Sequence, residues 1–128
     1  MFIMDKAYYD SITQEIISCA YHVGNALGSG FLEKVYENAM AIELAIAKVK
    51  FELQKQIKVY YREQLVGEYC ADLLVEEAVI VELKAVKNIE NIHCAQCQNY
   101  LKATGIKLGL VINFGAEKVQ VRRLANGV

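Results

Sequence analysis

The segment from Lys107 to Phe114, KLGLVINF, is almost unbroken apolar residues over the length of one strand. A strand without polar alternation is covered on both faces. It follows a stretch from Asn88 to Thr104 with helical spacing, closed by Gly105, and that stretch follows another apolar segment, AVIVELKAV. Strand, helix and strand in this order predict parallel pairing through a helical crossover.

The rest of the chain is placed around that unit. Tyr9, Ile12, Ile16, Cys19, Ala20, Val23 and Leu27 recur at three- and four-residue spacing and predict a first helix, ended at Gly28. Leu32, Val35, Ala39, Ile42, Ile46 and Val49 predict the core-facing stripe of a second helix. After Lys50 the pattern changes to alternating, β-branched and aromatic residues, FELQKQIKVYYR and LVGEYCADLLV. These are two strands, and AVIVELKAV follows so closely that a tight hairpin joins it to the second. GAEK is a turn, and VQVRRL is an edge strand, giving the order ααβββαββ.

A chain of 128 residues with 55% apolar content is expected to form one domain, residues 1–128, with a single core. Its 14 basic and 15 acidic residues leave a formal charge of -1, which excludes a general positive field as the means of holding nucleic acid. Any polyanion contact is local. The opening MFIMDKAYYD lacks a basic region followed by an apolar run, and no apolar stretch reaches membrane-spanning length. A cytoplasmic protein with reduced cysteines and no membrane partner is expected. Cys19 and Cys70 fall in apolar periodic segments, while Cys94 and Cys97 form a C-x-x-C without further ligands at zinc spacing.

Two acids interrupt core strands: Asp72 in the second and Glu82 in the third. A hairpin centred on Glu77 with a three-residue loop places them directly opposite each other, on one sheet face, with β-carbons roughly 5 Å apart. A two-residue loop instead sets Asp72 opposite Val81. Strand alternation puts Lys84 on the face of Glu82. Facing carboxylates repel, and a divalent cation relieves the repulsion. Oxygen ligands suit Mg²⁺ or Mn²⁺, which keep open positions for a phosphate oxygen and a water. The competing arrangement is an Asp72–Lys84 ion pair with Glu82 reaching solvent at a sheet edge. On the third helix, His93, Gln96 and Tyr100 share one face; Gln96 and Tyr100 are candidates for orienting a carboxylate, a water or a phosphate, and His93 is expected to be structural. Glu33 lies in the first turn of the second helix, either as a dipole-favoured N-terminal charge or as a third acid for the metal.

Asp72 followed by Glu82-Leu83-Lys84 resembles the D-x(n)-E-x-K signature of the PD-(D/E)XK nuclease superfamily, and Gln96 with Tyr100 resembles its QxxxY motif. Gly30, Glu33 and Tyr36 resemble the defining motif of the small GxxExxY family grouped with it, and the likeness continues through FELQKQIKVYY, HCAQCQNYLKATG and LGLVINFG. The resemblance implies a restriction-endonuclease-like α/β core, a mixed sheet with helices on both sides. It implies Asp72 and Glu82 as metal ligands, Lys84 as catalytic lysine, Glu33 as an upstream helical acid, and Gln96 and Tyr100 as accessory residues. Ser29 and Ala71 stand where relatives have proline. Iron–sulfur relatives use another cysteine arrangement, so Cys94 and Cys97 inherit no cluster.

The function implied is metal-dependent hydrolysis of phosphodiester bonds, in DNA more often than RNA, in repair, recombination or defence. Lys48, Lys50, Lys55, Lys58, Lys87 and Lys102 are candidates for a local basic rim. The alternatives are a catalytically silent nucleic-acid-binding or assembly module, and a thiol redox protein using Cys94 and Cys97. Small size and near-neutral charge favour a homodimer or a protein partner.

Overall fold

The computed structural model describes residues 5–126, so the reading of Met1 to Met4 lies outside the described residues. The elements are α1 (Lys6–Leu27), α2 (Glu33–Ile46), β1 (Phe51–Tyr61), β2 (Gln64–Val75), β3 (Val79–Lys84), α3 (Asn91–Thr104), β4 (Leu108–Asn113) and β5 (Gln120–Ala125). They form one five-stranded sheet in the order β1-β2-β3-β4-β5. The pairs β1–β2, β2–β3 and β4–β5 are antiparallel, and β3–β4 is parallel, with α3 as the crossover. This is the expected α/β order, with a mixed sheet flanked by helices.

The two faces of the sheet bury different side chains. Against α1 and α2 lie Leu73, Val75, Val79, Val81, Leu83, Leu110 and Ile112. Against α3 lie Leu74, Ile80 and Val111, packed on Cys97 and Leu101. Every residue of β4 is buried, as its unbroken apolar run requires. Gly109 on β4 lies under α3, where a β-carbon would come within 2.8 Å of Cys97 Sγ.

Local chemistry fixes the helix ends. The Asp5 carboxylate accepts from the Ala7 N–H at 3.0 Å and caps α1. At α3 the His93 Nδ1 accepts from the Glu90 N–H at 3.0 Å, half of a reciprocal cap, which gives His93 the structural role expected of it. Gly105, at φ 76°, closes α3 in the left-handed conformation.

Helix α2 departs from the sequence reading. Its buried side carries Tyr36, Glu37, Met40 and Leu44. Of the expected core stripe, Ala39 and Val49 pack against the core, but the large side chains face outward: Leu32 is 79% exposed, Ile42 62% and Ile46 71%. The loop before the helix sets this rotation. Tyr36 donates from its hydroxyl to the Gly28 carbonyl at 2.6 Å, accepts from the Phe31 N–H at 3.2 Å, and stacks on Phe114 with centroids 4.6 Å apart. Gly28 and Gly30, at φ 70° and 113°, let the chain wrap around that hydroxyl. Once Tyr36 points inward, Met40 and Leu44 follow one and two turns later. Cys70 is also exposed rather than buried, and all four cysteines are free thiols.

The rotation of α2 is testable by urea melts of the dilute chain. Met40→Ala is expected to cost about 2–5 kcal/mol of stability. Ile42→Ser and Ile46→Ser, although larger aliphatics are removed, are expected to stay within about 0.5 kcal/mol of wild type. The reverse order would place the other face of α2 in the core.

Candidate functional site

The register of the β2–β3 hairpin is the expected one, with Leu73 opposite Val81, Leu74 opposite Ile80 and Val75 opposite Val79. The ladder then ends one pair short of Asp72 and Glu82. There the two side chains replace the missing backbone pairing. The Asp72 N–H donates to Glu82 Oε2 at 3.1 Å, and the Leu83 N–H donates to Asp72 Oδ2 at 2.7 Å. Each carboxylate thus holds the backbone of the opposite strand where the strands part.

The parting has a cause in β1. Leu53 pairs with Leu73 and Lys55 with Ala71, but Gln54 between them takes φ 51° and drops out of the ladder. Alternation on β2 breaks at the same level, because Ala71 and Leu74 both pack toward α3 while Leu73 packs toward α1 and α2. Asp72 sits in this kink. It lines a pocket of about 190 Å³ with Glu33, Lys34, Glu37, Gln54 and Leu83, against the start of α2. Glu82 alternates with Val81 and Leu83, which pack toward α1 and α2, and shares the side of Ile80, so it lies on the α3 side; after burial, its charge raises the pKa of Cys97, and both acids raise that of Tyr100. The two acids are therefore joined across the strand end rather than aligned on one flat face.

Glu82 is 5% exposed, and among the described residues neither acid makes a salt bridge. The Asp72–Lys84 ion pair and the solvent-reaching Glu82 of the competing arrangement are both absent there. Burial, and then the neighbouring Asp72 charge, push Glu82 from its ordinary value of 4.5 up to about 8, partly offset by the Asp72 N–H and the Lys84 charge. Lys84, half-buried, is two residues further along β3, and its charge acts on both Glu82 and Cys97.

Gln96 is exposed and Tyr100 buried on α3; Tyr100 feels the charges of Glu82 and Asp72 and packs near Tyr69. Glu33 is exposed at the head of α2, beside Asp72 in the small pocket. Among the described residues no three acids, histidines or cysteines cluster tightly enough to make a ligand set. Mg²⁺ does not require three, since it is commonly held by one or two carboxylates, with waters and substrate phosphates filling the other positions. A buried Glu82 with a raised pKa, joined to a half-buried Asp72 and with no salt bridge to either, has the donor chemistry such an ion takes.

Sequence reasoning passed over Glu37, which is the buried acid of α2. It is 4% exposed, pairs with Lys34, and accepts from Gln54 Nε2 at 2.6 Å, so it ties α2 to the kink opposite Asp72. The signal was the row Tyr36, Met40 and Leu44 beside it, hidden by the more apolar outward stripe. Asn113 was also missed. Wholly buried, it receives the Val86 N–H on Oδ1 and donates from Nδ2 to the Val86 carbonyl, both under 3 Å, which fixes the loop leaving Lys84. The candidate basic rim is dispersed: Lys58 and Lys102 share a groove, Lys87 lines another pocket, and Lys55 pairs with Glu52. Cys97 is pushed up to about 12 by burial and by Glu82, so its thiol stays protonated at neutral pH, against a redox role.

A family model of the PD-(D/E)XK nuclease superfamily matches residues 10–124. The chain belongs to the PD-(D/E)XK nuclease superfamily. No curated protein matches it. Among solved structures, the crystal structure of SSO0001 is similar with a TM-score of 0.60 at 13% identity, over 95% of this chain and 61% of that one. At that identity the likeness is one of fold, and this chain spans about 61% of the length of that structure. Members of the superfamily generally act on nucleic acid with a divalent metal, usually Mg²⁺. No described helix is long and apolar enough to cross a membrane.

The raised Glu82 makes a stability prediction for the metal-free chain. Its folded-state value lies above its unfolded one, so the folded state binds the extra proton between pH 4.5 and about 8. Stability from this group is complete below pH 4.5 and is lost as the pH rises through about 8. Glu82→Gln keeps an oxygen acceptor for the Asp72 N–H without titrating. Thermal melts in chelator are expected to show wild type losing more Tm than Glu82→Gln between pH 5 and 8; parallel profiles would contradict the buried, repelled carboxylate.

Proposed function

We propose that this chain, as a single nuclease-like domain, is a divalent-metal-dependent nuclease that hydrolyses phosphodiester bonds, in DNA more than in RNA. The observation that carries the reading is the reciprocal Asp72–Glu82 pair, with Glu82 buried and Asp72 half-buried, at parted strand ends beside Lys84 and without a salt bridge. In this reading Asp72 and Glu82 hold Mg²⁺ or Mn²⁺. The ion, when bound, polarises a phosphate oxygen and lowers the pKa of a water. Lys84 supplies a fixed positive charge next to the developing negative charge on the phosphate. Glu33 serves as the upstream helical acid at the mouth of the Asp72 pocket. Gln96 and Tyr100 are accessory residues that contact the strand where it reaches the acids.

The segment from Gly30 to Tyr36 supports placement in the GxxExxY family, with Tyr36 and the glycines building the loop that presents Glu33. A cytoplasmic role in repair, recombination or defence goes with this placement. A homodimer is also part of the reading. The outward row Leu32, Val35, Ile42 and Ile46, spaced by three, seven and four residues, has the repeat of a helix-pairing seam and carries no charge.

The purified chain, beside Glu82→Ala and Lys84→Ala, is to be incubated with single-stranded, duplex and branched DNA and with RNA, in Mg²⁺ or Mn²⁺ and in chelator. Metal-dependent cleavage is expected, reduced about 100-fold or more by Glu82→Ala and by about 10²–10³ in kcat by Lys84→Ala. Cleavage equal in Glu82→Ala would assign it to a contaminant. No cleavage by any of them, with no Mg²⁺ or Mn²⁺ binding by calorimetry, would favour the silent binding module. Light scattering of wild type against Ile46→Glu tests the dimer, which is expected to fall to monomer mass.

A further inference from the structure

A groove of about 860 Å³ runs between the far half of the β1–β2 hairpin and α3. Three tyrosines stand among aliphatic residues in its walls. Tyr60 and Tyr69 are 58% and 50% exposed, and Tyr69 meets the buried Tyr100 with ring centroids 5.7 Å apart. Gly67 stands opposite Val59, and a β-carbon there would lie 3.4 Å from Tyr69 Cε2. Its φ is outside the left-handed region, so the backbone does not demand glycine. What the missing side chain does is leave the Tyr69 ring uncovered.

The charge in the groove is of one sign. Among the described residues that line it, the charged ones are Lys58 and Lys102, and none is acidic. This contrasts with the whole chain, where acids slightly outnumber bases. On the α3 side the groove is lined by Gln96 and Tyr100, whereas Asp72 lines the separate small pocket at the head of α2.

Open aromatic faces flanked by ammonium groups are the chemistry of an unpaired nucleic-acid strand, whose bases stack on rings while its phosphates meet lysines. A duplex keeps its bases stacked inside and offers none to Tyr60 or Tyr69. We infer that this groove binds a single strand and leads it toward Asp72 and Glu82, so that the substrate is single-stranded or carries a single-stranded end. The delivery to the acids rests on the nuclease reading; the strand binding does not.

The test measures binding without cleavage, by fluorescence anisotropy of the full chain in chelator with a labelled oligothymidylate and a duplex of equal length. The single strand is expected to bind more tightly. Gly67→Leu, which fills the space over Tyr69, is expected to weaken single-strand binding about tenfold with an unchanged circular dichroism spectrum. The double variant Lys58→Gln with Lys102→Gln is expected to reduce the salt slope of single-strand binding by about 1.4, roughly 0.7 for each phosphate no longer neutralised. This second measurement decides alone if Gly67→Leu alters the fold. Duplex binding as tight as single-strand binding, a well-folded Gly67→Leu that binds like wild type, or an unchanged salt slope overturns the inference. Hydrolysis in Mg²⁺ is scored separately: Gly67-dependent strand binding without any cleavage sinks the nuclease reading and leaves the groove standing, whereas cleavage without it sinks the groove.

Discussion

The parallel pairing of β3 with β4 is the constraint from which the rest of the architecture follows. A parallel pair needs a crossover, and the crossover, α3, covers one face of the sheet. Both strands are apolar on their other side as well, so α1 and α2 must cover that face. With β1 and β2 added on one edge and β5 on the other, β3 becomes the central strand. A carboxylate on the central strand is surrounded on both faces and on both neighbouring strands, which is why Glu82 is buried at all. The same residue on β5 would be solvated and chemically ordinary.

Burial alone would make Glu82 a liability, and the structure meets it with geometry rather than with a counter-charge. Where β2 and β3 part, the carboxylates of Asp72 and Glu82 take over the backbone N–H groups that the ladder abandons. Two otherwise unsatisfied donors are used, and two acids are locked in place, by the same contacts. The positive-φ Gln54, tied to α2 through Glu37, opens the gap. Burial and the repulsion that remains raise the pKa of Glu82.

Much of the site was legible because strand alternation and hairpin register are short-range properties. Of the two loop lengths open in the sequence, the structure takes the three-residue one that relates Asp72 to Glu82, and two residues of strand relate Glu82 to Lys84. What failed were inferences that assume regular elements. The expected shared face for Asp72 and Glu82 presumed an unbroken ladder, and the kink at Gln54 lies on a strand that pairs from elsewhere in the chain. The α2 stripe was read from hydrophobicity, yet the rotation of that helix was set by one tyrosine hydroxyl reaching back to Gly28. Glu37 was overlooked for the same reason, since it lies on the face that hydrophobicity ranked second.

The sequence by itself determined the element order, the antiparallel hairpins, the parallel crossover and the set of acids and lysine placed within a few residues of one another. These depend on local periodicity, loop length and the absence of charge in the central strands. The tertiary structure alone decided which face of α2 is buried, where the β2–β3 ladder ends, and that the tyrosines of the hairpin and the lysine of α3 share one groove. Each of those is a contact between segments far apart in the chain. No local pattern encodes such a contact, because its energy comes from the burial and hydrogen bonding of groups that meet only once the sheet has assembled.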